Sequence, residues 1–178
     1  AQIVALGADI VGFTSTQTAG LTAAQAKALT TAEANVLTSA AMTGLTTAAL
    51  AALSSAQVAA LNSAGVLAFS KPQFVALTSA AIPALTSDEI AGLTTANVSG
   101  LSAKQFAAIS SAGIAGLVSA EMLALTTTEI TALTSSQIPA LDITNLTEAV
   151  AGNFSNATAF TGTQIGYMTL TEKQVLFG

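Results

Sequence analysis

A large apolar residue returns every eight positions along most of this chain, a period that belongs to neither a helix nor a strand. The slots are Phe13, Leu21, Leu29, Leu37, Leu45, Leu53, Leu61, Phe69, Leu77, Leu85, Leu93, Leu101, Ile109, Leu117, Leu125, Leu133 and Leu141. A second site five residues on is usually apolar, as in Met42, Leu50, Val58, Phe74, Ile90 and Phe106. Seven residues after each slot stands Ala or Gly in nearly every copy. The consensus is L-T-[ST]-A-[QE]-[IV]-x-[AG]. A tandem repeat this strict predicts units that stack on their neighbours instead of folding alone.

One continuous helix is excluded by arithmetic. Eight residues at about 100° each leave the apolar stripe about 80° off after every repeat. The stripe would circle the helix and leave no face to bury. The chain must therefore change direction once per octad.

Capping chemistry marks where it does so. Thr or Ser follows the apolar slot and Gln or Glu stands three residues later, the spacing of a capping box. The pairs are Thr14/Gln17, Thr22/Gln25, Thr30/Glu33, Ser54/Gln57, Ser70/Gln73, Thr86/Glu89, Ser102/Gln105, Thr126/Glu129 and Thr134/Gln137. Each octad reads as a short capped helical turn, with its two Leu/Ile-type sites inward and its Thr-Ser corner outward. The predicted fold class is an all-α solenoid of very short capped helices. Gln57, Gln73, Glu89, Gln105, Glu121 and Gln137 recur every sixteen residues, with mostly small residues between them. That second period predicts two octads per coil, of either hand.

Pro83 and Pro139, in two "IPAL" segments, lie where a helix wants an N–H, and they push Ile82 and Ile138 towards extended geometry. A β-solenoid with Thr-rich corners is the alternative. Against it stand the capping boxes and the heavy Ala content, since Ala favours helix and is depleted in strands.

The expected organisation is a degenerate N-terminal repeat or cap over 1–12, the octad solenoid over 13–141, a divergent loop or cap insert over 142–159, and out-of-register repeats over 160–178. The octad resurfaces as "FTGTQIGY" (160–167) and, two residues out of phase, as "LTEKQVLF" (170–177). That ending suggests that the array continues. Residue 1 is Ala and no basic region followed by an apolar stretch comes after it, which predicts a processed or partial chain.

Composition narrows the function classes. Hydrophobic residues make up 52% and charged residues 7%, so hydroxyls and amides must cover the surface. The only cations are Lys27, Lys71, Lys104 and Lys173, and the net charge is −5. A nucleic-acid binder needs clustered Lys and Arg to neutralise phosphates, and no such cluster exists. No charge falls between Glu33 and Lys71, yet Thr, Ser, Asn or Gln interrupts every few positions, which argues against a membrane span. With no Cys there is no disulfide to staple the fold.

His is absent as well, which removes the commonest general base and, with Cys, the N/S ligands of zinc sites. The carboxylates are Asp9, Glu33, Asp88, Glu89, Glu121, Glu129, Asp142, Glu148 and Glu172, of which only Asp88 and Glu89 are adjacent. Neither calcium loops nor phosphate cradles occur. No catalytic, cofactor-binding or metal residue is therefore assigned. Sequons stand at Asn97, Asn145, Asn153 and Asn156. Regular Thr and Ser ranks on an uncharged face would suit ice or carbohydrate recognition, although the same hydroxyls serve as N-caps.

The octads "LTTAEANV", "LTSDEIAG" and "LTSSQIPA" resemble the Ala/Thr/Leu-rich short tandem repeats of large secreted or cell-surface bacterial proteins, adhesin-like and haem-utilisation proteins among them. The resemblance covers about residues 13–141. It implies an extracellular or cell-surface location and a spacer, adhesive or filament-forming role, and it carries over no catalytic residues. A non-enzymatic structural protein is the expectation, with self-association head to tail through apolar end faces that low charge leaves unrepelled.

Overall fold

Residues 7–142, 144, 145, 147 and 157–178 are described by the computed structural model. They divide between two compact units, Ala1–Leu85 and Thr86–Gly178. Residues 1–6 of the expected N-terminal cap, and much of the expected 142–159 insert, lie outside the described residues.

Unit one carries α1 (Ser15–Ala19), α2 (Ala23–Ala28), α3 (Thr31–Asn35), α4 (Ser39–Met42), α5 (Thr47–Ala52), α6 (Ser55–Ala60), α7 (Ser63–Leu67) and α8 (Lys71–Val75), with 3-10 turns at Gly7–Gly12 and Ile82–Ala84. Unit two carries α9 (Ser87–Ala91), α10 (Thr95–Val98), α11 (Ala103–Ala107), α12 (Ser111–Ala115), α13 (Ser119–Leu123) and α14 (Thr127–Ala132). Two 3-10 turns, Ile138–Ala140 and Ala157–Ala159, lead to α15 (Gly162–Tyr167) and α16 (Leu170–Phe177). No strand occurs among the described residues, so the helical reading holds and the β-solenoid does not.

Two extended residues make each corner. In the corner between α2 and α3, Leu29 adopts φ −59°, ψ 137° and Thr30 adopts φ −74°, ψ 161°. Leu53 and Ser54 repeat this with φ −66°, ψ 138° and φ −75°, ψ 162°. At these corners the slot residue ends one helix and the hydroxyl residue starts the next. In contrast, α1, α3 and α4 end one or two residues sooner, at Gly20, Val36 and Thr43. Such helices are far too short to persist alone and depend on packing.

Stacking within each unit corrects the expected coil. α2 packs on α5, α3 on α6, α1 on α4 and α4 on α7 in unit one. α9 packs on α12, α10 on α13 and α11 on α14 in unit two. Each partner lies three octads on, as from Ala23 to Thr47, so a coil contains three octads and 24 residues instead of two octads and 16. Two corners per coil would each have to reverse the chain. Three corners each turn it by roughly a third of a revolution, within reach of two extended residues.

The interior follows the octad. Leu21, Leu29, Leu37, Leu45, Leu53, Leu61, Leu77, Leu85, Leu93, Leu101, Ile109, Leu117, Leu125, Leu133 and Leu141 are all buried. So are the second-site residues from Met42 to Ile138, Phe74 and Phe106 being the largest. Thr18 occupies a second site in the first complete octad, and its buried hydroxyl donates to the Ala41 carbonyl of the next coil at 2.5 Å. Burying some 25 cal/mol per Å² of apolar area is the main stabilisation available to so thin a core.

The "IPAL" segments are 3-10 turns, and Ile82 and Ile138 lie inside them instead of being extended. The Ile82 N–H bonds to the Thr78 carbonyl at 3.2 Å, and Ile138 to Thr134 at 3.1 Å. Each proline takes an early turn position where no N–H is needed.

The last repeat is also re-registered. Thr169, rather than a residue after Leu170, caps α16, and Met168 fills the buried slot at 5% exposure while Leu170 is 86% exposed. The octads of Phe160 and Met168 are therefore in phase with each other. Among the described residues no helix is long and apolar enough to cross a membrane.

Candidate functional site

The corners hold the polar chemistry of this molecule. At a typical corner the N-cap hydroxyl accepts the N–H three residues on, while that residue's side chain accepts the N-cap N–H. Thr30 N–H donates to Glu33 Oε2 at 2.7 Å and Glu33 N–H to Thr30 Oγ1 at 3.1 Å. Ser54 with Gln57, Thr86 with Glu89 and Ser102 with Gln105 form the same reciprocal pair. At Thr134 only the return half forms: its N–H donates to Gln137 Oε1 at 2.9 Å, while its hydroxyl meets Ser136.

The Gln slot does something more that capping reasoning missed. With Oε1 on the cap, the amide nitrogen points to the coil beneath. Gln57 Nε2 donates to the Ala26 carbonyl at 3.0 Å and the Leu29 carbonyl at 2.6 Å. Gln73 reaches Thr43 and Leu45, both at 2.9 Å. Gln137 reaches Ile109 at 2.7 Å, and Gln164 reaches Ile130 and Leu133 at 2.7 and 3.0 Å. These acceptors are carbonyls of the last turn and the slot residue, where a helix end runs out of backbone donors; Ala26 and Ile130 also accept from the Leu29 and Leu133 N–H groups. One side chain thus closes its own helix start and the helix end of the coil below. Asn62 and Asn145 contribute shorter versions, donating to the Leu37 and Leu117 carbonyls. A signal was present in the sequence: an inward capping glutamine carries a spare NH₂ that burial obliges to find an acceptor.

Small residues are interspersed with these staples along the edges of a unit. In unit one the cap slots of three successive coils read Gln25, Ala49 and Gln73, or Glu33, Gln57 and Ala81. Gly65 shows why a slot is small, since a Cβ there would lie 2.1 Å from Met42 Sδ in the coil beneath.

Glu121 departs from the staple pattern. Its N-cap is Val118, which lacks a hydroxyl, so only the return bond forms, from Val118 N–H to Glu121 Oε2 at 2.9 Å. The side chain is 1% exposed and Oε1 has no hydrogen-bond partner. Burial raises its pKa to about 7, partly offset by the Val118 N–H. Glu172 is also buried, with Thr169 N–H on Oε2 at 2.6 Å and Oε1 without a partner.

The remaining polar candidates do not converge. Asp88 is exposed whereas the adjacent Glu89 turns inward to its cap, so the one neighbouring carboxylate pair is split. Among the described residues no group of three or more His, Cys, Asp or Glu could hold a metal. Asn97 is buried, which withdraws that sequon from any surface modification, and Asn145 is half-buried on Leu117. Asn153, Asn156 and Glu148 lie outside the described residues, as does the Asp9 side chain. No protein-family model, curated protein or solved structure matches this chain.

Proposed function

We propose that this chain is a non-enzymatic structural repeat protein of the cell surface or extracellular space, whose coils stack head to tail between copies into a fibre, stalk or filament. The carrying observation is the state of Gln17 and Gln25. Both make the full capping box through Oε1, as Gln57 does. Neither amide nitrogen has an acceptor among the described residues, whereas that of Gln57 takes carbonyls of the coil beneath. In the last two helices of unit two Tyr167, Leu170 and Phe177 are exposed apolar side chains. A second copy's last coil would supply both the carbonyls and the apolar contact, a heterologous contact of the kind that propagates. The low charge supports close approach of copies. The extracellular setting rests on the resemblance of the octads to bacterial surface repeats.

Negative-stain electron microscopy across a concentration range tests this, on the wild type and on the Gln17→Glu, Gln25→Glu double variant. The variant keeps both caps but places a carboxylate against the incoming carbonyls. Uniform filaments that lengthen with concentration and vanish in the variant are expected. Dispersed particles at every concentration would sink the reading, as would filaments indifferent to the variant.

A hydroxyl-face reading keeps one supporting observation. Thr31, Ser55 and Ser79 are exposed at 24-residue intervals on one edge of unit one, an uncharged file suited to ice or carbohydrate. Inhibition of ice recrystallisation, or binding on a glycan array, would favour it over assembly.

A further inference from the structure

Glu121 sits in the cap slot that Gln73 fills two coils earlier in register, and unlike the capping glutamates Glu33 and Glu89 it faces an N-cap without a hydroxyl. Gln73, 48 residues earlier in the same octad register, accepts the Ser70 N–H through Oε1 and gives Nε2 to the carbonyls of Met42, Thr43 and Leu45. Moving that register forward by 48 brings the carbonyls of Ile90, Ala91 and Leu93 to Glu121. The local backbone agrees: Leu45 N–H bonds to Met42 O at 3.1 Å and Leu93 N–H to Ile90 O at 3.1 Å. Glu121 Oε2 already serves Val118 N–H, so Oε1 takes the place of the amide nitrogen. An acceptor then faces acceptors, and Oε1 is indeed buried without a hydrogen bond. Only a proton on Oε1 converts this position into a donor.

We infer that Glu121 is a proton-operated staple, which donates Oε1–H to the Leu93 carbonyl and locks its edge of unit two when protonated, and releases that edge when ionised. None of α9, α10 and α13 carries a lysine. α10, on which its helix packs, carries no charged residue. The α9 side brings Asp88, which is exposed, and Glu89, whose carboxylate is held by Thr86 N–H at 2.9 Å. The following coil brings Asp142, which accepts the Asn145 N–H at 2.9 Å.

Because the pKa of Glu121 is raised from 4.5 to about 7, the folded chain holds one more proton than the unfolded chain between those values. Its contribution to stability is full below the unfolded value and is lost as pH rises through about 7. The absence of His and Cys removes the side chains that ordinarily titrate in that window.

The test is the thermal unfolding midpoint of the full chain between about pH 5 and about pH 8.5, for wild type and Glu121→Gln, at one ionic strength. The wild-type midpoint should fall by about 10 °C or more across the range. Glu121→Gln should be flat there and more stable than wild type at the alkaline end, because its amide donates at every pH. A parallel titration of ¹³C-carboxyl-labelled Glu in the folded protein reads the proton directly, with the Glu121 resonance, assigned by its loss in Glu121→Gln, expected to move near pH 7. A flat wild-type profile, a Glu121→Gln profile that still falls, or every Glu resonance titrating in the ordinary carboxylate range would each overturn the inference.

Discussion

Replacing Gln57 by Met isolates what a staple contributes, because Gln25 provides its own control. The two glutamines make the same cap, from the N-cap N–H to Oε1 at 2.8 Å for Ser54 and 2.9 Å for Thr22. Only Gln57 extends to the coil beneath, at 3.0 Å to Ala26 and 2.6 Å to Leu29. Met keeps the length and apolar stem of Gln. In Gln25→Met the loss is that of the return half of a capping box, about 1 kcal/mol. In Gln57→Met two further hydrogen bonds go, at about 1 kcal/mol each, and the Leu29 carbonyl stays buried without its donor, which adds about 1 kcal/mol or more. The expected costs are thus about 4 kcal/mol for Gln57→Met against about 1 kcal/mol for Gln25→Met. For a unit of this size that difference corresponds to a midpoint gap of roughly 15 °C. Urea and thermal unfolding followed by far-ultraviolet circular dichroism, at dilution, reads both variants. Equal losses in the two would refute the staple and reduce the Gln slot to a cap.

Two further perturbations read other features of the stack. A Cβ on Gly116 would lie 2.6 Å from the Ser87 carbonyl oxygen of the preceding coil, so Gly116→Ala should destabilise by about 1–3 kcal/mol. Gly166, inside α15 with nothing within 4 Å of its added Cβ, should gain about 1 kcal/mol on mutation to Ala. The opposite signs, measured in the same urea series, separate close coil contact from helix propensity. Val118→Thr restores the missing cap hydroxyl at α13 and should raise stability by about 1 kcal/mol, with no gain if the N-cap position were not in use.

Much was legible in the octad itself. A Leu slot, a capping hydroxyl and a Gln or Glu three residues on determine a short helix, its start and its inward face, because these interactions span fewer than eight residues. That is why Leu85, Thr86 and Glu89 could be assigned burial and capping without coordinates. The number of octads per coil could not be read in this way. It depends on how far each Leu-Thr corner turns the chain, and every choice of that angle keeps the same eight-residue pattern.

The sixteen-residue period of the Gln slot pointed to the wrong coil for a definite reason. Three such periods equal two coils of 24 residues, so the period records alternation of large and small cap residues along an edge, not the length of a coil. Which carbonyls the glutamines bind was equally hidden. Ala26 and Leu29 accept from Gln57 through backbone oxygen, which every residue carries, across 28 to 31 residues of chain. Glu121 shows the consequence most sharply. By sequence it is one more capping carboxylate. Tertiary stacking alone sets its second oxygen in a buried place built for a donor, because the coil beneath, and not the octad around it, supplies the neighbours.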